Sequence, residues 1–165
     1  MGKNSKTGQL QIRVSPAQKR TIQRHAGAAG KSMSDWVLSR VLPSTQMIFQ
    51  DLLQELARSD TPGMVFAELL ELLGPLGASE YARAVSQPPQ VELDPYWKNY
   101  VAATVEHAAA KKKAPVPEWT KAVPPLEDPV FGSSLMSLRM HLLTNSPAAF
   151  CRRNIFIDAT IGDRV

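Results

Sequence analysis

The run Gly8-Gln-Leu-Gln-Ile-Arg-Val14 alternates polar and apolar residues and is followed, within the first 43 residues, by two capped helix starts. A period of two puts Leu10, Ile12 and Val14 on one face of a short strand and Gln9, Gln11 and Arg13 on the other. Ser15-Pro16-Ala17-Gln18 then supplies an N-cap, a proline at the first helical position and a capping-box glutamine. Ile22, Ala26 and Ala29 recur along one helical face, and Gly30 ends the helix. A second cap at Ser32, with Asp35 three residues on, opens a helix whose apolar face is Met33, Trp36, Val37 and Val41, up to Pro43. One strand cannot satisfy its own backbone, and two short helices bury too little apolar area to fold alone. The simplest source of the missing strand is a second copy.

Charge separates this segment from the rest. Residues 1–43 hold eight basic side chains against Asp35 alone, a net of +7, whereas the remainder has 11 basic and 14 acidic residues, a net of −3. A basic end suits a polyanion, although charge runs are often only solvated faces. Two strands paired about a two-fold axis would show Gln9, Gln11 and Arg13 twice on an outward ribbon that fits the DNA major groove. There glutamine pairs with adenine and arginine with guanine, each worth roughly 1–3 kcal/mol of discrimination. The alternative is an ordinary edge strand facing solvent.

Gln9 to Leu42 resembles the ribbon-helix-helix family of the MetJ and Arc type, especially its antitoxin branch. The resemblance is carried by the step Arg13-Val-Ser-Pro16 and by the turn Gly30-Lys-Ser-Met-Ser-Asp35. It implies an intertwined dimer, operator DNA as ligand, and a DNA phosphate clamped by backbone amides where the second helix begins, near Lys31, Ser32, Met33 and Ser34, with Lys6 as a further phosphate contact. Ser32 can cap and clamp at once, while Lys31 is open between phosphate contact and a solvated position.

Beyond Pro43 the pattern predicts a helix with face Ile48, Leu52 and Leu56, then one opened by Thr61-Pro62 with face Phe66, Leu69, Leu70 and Leu73. A short helix is expected at Ser79–Val85, and a long one from Asp94-Pro95 to about Lys112. The run Lys111-Lys112-Lys113 invites a nucleic-acid reading, but cations at a helix C-terminus are favoured by the dipole in any case. Residues 114–131 contain five prolines around Trp119, Leu126 and Phe131, with a helical turn near Glu118. Such a strip has no core of its own and must be buried on its own helices or on a partner protein. Trp119, Leu126 and Phe131 are therefore candidate partner-binding anchors. Ser134–Asn145 is expected to be helical, Ser146-Pro147 to cap one more turn, and Ile155-Phe156-Ile157 to form a terminal strand.

The ending, Ser146 to Phe150 followed by Arg152 to Asp158, resembles tails of antitoxins encoded beside nucleotidyltransferase-like toxins. That implies a toxin partner, with Arg152 and Arg153 as candidate contacts to an acidic surface. Equally, those arginines lie over apolar surface and Phe150 and Ile155–Ile157 serve the fold. His25, His107 and His141 lack ligand spacing, no glycine-rich phosphate loop follows a strand, and Cys151 stands alone. No metal, cofactor or catalytic residue is expected, and Cys151 reads as a structural thiol. No apolar run reaches the roughly 20 residues of a membrane helix, and no secretory leader is seen, so the expected compartment is the cytoplasm.

The expected fold is mainly α: a ribbon-helix-helix head over 1–43, of one strand and two helices in an intertwined dimer, followed by a helical, partly extended body over 44–165. The expected function is an antitoxin that represses its own operon through the head and neutralises a protein toxin through the body. The alternatives are an ordinary ribbon-helix-helix regulator whose body oligomerises or senses a ligand and, more remotely, an enzyme fused to a DNA-binding head.

Overall fold

The computed structural model describes residues 11–158, and the chain divides into two compact units, 1–43 and 44–165. In the first unit, residues 11–15 run without secondary structure and lead into α1, Pro16–Ala28. Ser15 and Gln18 close a capping box: the Gln18 amide donates to Ser15 Oγ at 3.3 Å and the Ser15 amide to Gln18 Oε1 at 2.9 Å. At the other end the Lys31 amide reaches back to the Ala26 carbonyl at 3.0 Å and the Gly30 amide to Gly27 at 3.1 Å. This Schellman closure needs a left-handed residue, and Gly30 has φ 62°. Ser32 then caps α2, Met33–Val41, accepting from the Asp35 amide at 3.1 Å and donating to the Asp35 carboxylate at 2.7 Å. His25 of α1 stacks on Trp36 of α2 with centroids 5.7 Å apart, and the Arg40 guanidinium lies 5.6 Å over the same indole.

The second unit starts with α3, Thr45–Leu56, packed on α4, Pro62–Leu73, and on α5, Ala78–Ala84. α6, Pro95–Lys112, is the central element: Asn99 to Val105 is buried without a break, as are Ala108 and Ala109. Asp94 holds its start by accepting from the Tyr96 and Trp97 amides. Around α6 gather Phe66, Trp97, Tyr100 and Phe150 in tilted and edge-on ring contacts. The Tyr81 hydroxyl donates to the Val105 carbonyl at 2.9 Å, and burial raises its pKa well above the ordinary phenol value. Lys112 donates to the Gly74 carbonyl at 2.7 Å and lies 5.7 Å over the Tyr81 ring. Burial, then Lys111, lowers its pKa. Lys112 thus satisfies a carbonyl at the end of α4.

After α7, Glu118–Lys121, the proline-rich strip reaches β1, Val130–Phe131, which pairs in parallel with β2, Ile155–Phe156, in the register Val130 to Ile155 and Phe131 to Phe156. Between them lie a 3₁₀ turn at Met136–Leu138, α8 at Arg139–Asn145 and α9 at Ala148–Cys151. Gly132 follows β1 against the other strand, its amide donating to the Phe156 carbonyl at 2.8 Å. A Cβ there would meet Ile157 Cγ2 at 3.2 Å, so the position favours glycine.

Two expectations change. The buried face of α3 is Phe49, Leu53 and Leu56, with Ile48 and Leu52 only half-buried, because α4 and α5 cover it from a direction one residue round the helix. The helix expected over Ser134–Asn145 starts later, with a 3₁₀ turn before α8. Among the described residues no helix is long and apolar enough to cross a membrane, and no group of side chains could hold a metal ion.

Candidate functional site

In the first unit Lys6 and Gln9 lie outside the described residues. Gln11 and Arg13 are exposed on the extended segment before α1, and Lys31, Ser32, Met33 and Ser34 are exposed where α2 begins. Ser32 commits its hydroxyl to Asp35, and among the described residues nothing accepts from the Met33 and Ser34 amides. Those two N–H groups stand at the positive end of the helix dipole, the arrangement that receives an anion. The unit's apolar residues are poorly covered: among its described residues only Ala26 is buried, while Ile12 is 57% and Val41 67% exposed. Val14, Met33 and Leu42 are exposed as well.

In the second unit the five candidate partner-binding residues occupy different environments. Trp119 is half-buried against the core and its indole N–H donates to the Val85 carbonyl at 2.9 Å. Leu126 packs on the same core. Phe131 stacks on Phe156 with centroids 5.1 Å apart, under the Arg139 guanidinium at 5.0 Å. Arg152 is exposed and touches Glu106 at 3.2 Å. Arg153 is only 5% exposed and holds four partners: Glu106 Oε1 at 2.6 Å, the Thr120 carbonyl at 2.7 Å, and Asn99 Oδ1 and the Val123 carbonyl at 3.2 Å.

Arg153 belongs to a group that sequence reading missed. Prolines have no amide hydrogen, so the strip over 114–131, with five of them, has more backbone acceptors than donors. The donors come from elsewhere in the chain. Asn99 Nδ2 reaches the Pro124 carbonyl at 3.0 Å, Asn154 Nδ2 the Leu126 carbonyl at 2.6 Å, and Arg153 the two carbonyls above. Burial pushes the Glu106 carboxyl up, but hydrogen bonds from Arg153 and Thr120, the Arg153 charge and a hydrogen bond from Arg152 outweigh it and leave the pKa below the ordinary glutamate value. Phe150, Ile155 and Ile157 are buried in the core, and the Cys151 thiol lies against the Ser146 carbonyl at 3.3 Å.

The second feature without a sequence signal is the segment from Leu135 to Leu143. Only Leu142 of α8 is buried, while Met136 and Met140 are each 71% exposed, with Leu135, Leu138 and Leu143 exposed beside them in sequence. Binary patterning identified the helix, but a helix with apolar residues on several sides gives no indication of which of them face water.

No curated protein and no solved structure matches the chain. Residues 9–71, a span that includes α1 to α3 and most of α4, match the family model described as Antitoxin TacA 1-like.

Proposed function

We propose that the chain is the antitoxin of a type II toxin–antitoxin pair, binding operator DNA as a ribbon-helix-helix dimer and neutralising a protein toxin through residues 44–165. The observation that carries the dimeric head is the exposure of Ile12, Val14, Met33 and Val41 in a unit where only Ala26 is buried among the described residues. An isolated unit of that size cannot offset its chain entropy with one buried alanine. Pairing two copies of residues 8–14 supplies both the missing hydrogen bonds and cover for Ile12 and Val14. Gln9, Gln11 and Arg13 then read bases, while Lys6, Lys31 and the amides from Ser32 to Ser34 hold phosphates.

The toxin half is supported by the antitoxin match and by five exposed apolar side chains close together in sequence, Leu135, Met136, Leu138, Met140 and Leu143. Arg152 is the exposed member of the five candidate contacts, and Phe131 is half-buried between Phe156 and Arg139. Trp119, Leu126 and Arg153 would act by shaping the body. A nucleotidyltransferase-like toxin is the class suggested by the tail resemblance alone. One observation favours the rival regulator with a ligand-sensing body: a cleft of ≈ 470 Å³ lined by Glu106, Val116, Lys121, Val123 and Arg152 among others.

The test of the head is Gln11→Ala with Arg13→Ala, measured on the duplex upstream of the chain's own gene and on unrelated duplex. Removing base contacts should weaken operator binding by roughly 1–3 kcal/mol per lost bidentate pair and leave unrelated DNA nearly unaffected. Equal losses on both duplexes would refute base reading by this strand.

A further inference from the structure

We propose that the outer side of α1, through Arg20 and Arg24, forms a second phosphate-binding surface, separate from the ribbon and from the start of α2. The inference rests on the DNA reading above. Helix α1 contains no acidic residue among its 13 and has no carboxylate in its first turn. The unit's single acid, Asp35, is bonded to Ser32. Among the described residues Lys19, Arg20 and Arg24 have no ion pair, and all three are exposed. By contrast Arg40 lies over Trp36.

Nothing inside the unit favours this arrangement. Arg20 and Arg24 stand four residues apart, so they share a side of the helix and repel each other. Lys19 and Arg20 also lie in the N-terminal half of α1, near the end where the dipole disfavours cations. Arg20 and Arg24 are turned away from Ile22 and Ala26, the part of α1 that is half-buried to buried, whereas Lys19, three residues before Ile22, borders that face. Two uncompensated arginines on one exposed helical side, with the exposed Lys19 at its margin and within a unit of net +7, fit a regularly charged polyanion. Such contacts are made to the backbone and carry no base preference.

The experiment compares the full-length chain with Arg20→Ala/Arg24→Ala and Arg20→Lys/Arg24→Lys, using the duplex upstream of its own gene and an unrelated duplex over a range of KCl concentrations. Alanine is a strong helix former, and circular dichroism and sedimentation verify that fold and dimer are kept. In the alanine variant the slope of log affinity against log salt should shrink by about 2 to 4, at about 0.9 per lost phosphate contact in each of two protomers. The loss should appear on both duplexes, and the lysine variant should keep the slope. A change smaller than about one unit, or a loss confined to the operator, overturns the inference while the DNA reading stands. Failure of the unaltered chain to bind either duplex overturns both.

Discussion

Ile12→Lys is expected to abolish the dimer, unfold the head and eliminate operator binding. In the single chain Ile12 is 57% exposed, and a lysine at such a position ordinarily changes stability by no more than about 0.5 kcal/mol. In the proposed paired ribbon the same residue would lie under two strands and against the helices of both copies. Each dimer would then bury two ammonium groups without partners, at an effective cost of several kcal/mol per ion. A small domain held by about 5–15 kcal/mol cannot absorb that loss. Sedimentation and circular dichroism therefore distinguish the two environments directly. A folded Ile12→Lys dimer that still binds DNA would show that this strand is not the dimer contact.

Arg153→Ala should destabilise residues 44–165 by about 3–5 kcal/mol, because it leaves a mostly buried Glu106 carboxylate and the Thr120 and Val123 carbonyls without their donor. Arg152 cannot substitute, since its guanidinium is exposed and meets only the other Glu106 oxygen. The double change Glu106→Leu/Arg153→Met should recover part of the loss by removing both charges. The pH dependence follows from the direction of the Glu106 shift. Its folded pKa is below its unfolded value of about 4.3, so its contribution is present above that value and is lost as pH falls through the folded pKa. Thermal melts from pH 7 to 3 should show this acid loss in the unaltered chain and a shallower one in Arg153→Ala. A variant that melts within a degree or two of the unaltered chain would mean that Arg153 does not secure the strip.

Local signals told most of what was legible beforehand. The caps at Ser15, Ser32 and Asp94, the stop at Gly30 and the helical turn near Glu118 all depend on neighbours within four residues. Where a residue's role depends on distant chain, the reading stopped short. The shift from Ile48 to Phe49 on α3 is set by which neighbours cover it, and the Pro124 and Leu126 carbonyls find their donors 25 and 28 residues away at Asn99 and Asn154. Arg152 and Arg153 are adjacent and identical in type, yet one is exposed and the other buried. The base contacts proposed for Gln11 and Arg13 are less legible still, because the ribbon that would carry them needs a second copy.

The central claim is that one chain joins operator repression to toxin neutralisation in separable parts. The most direct measurement follows growth and promoter activity in cells expressing the neighbouring gene together with either the unaltered chain or Gln11→Ala/Arg13→Ala. Growth arrest is expected from the neighbouring product alone, rescue from both forms of the chain, and promoter repression from the unaltered form only. A neighbouring product that is harmless, or that neither form restrains, would contradict that claim.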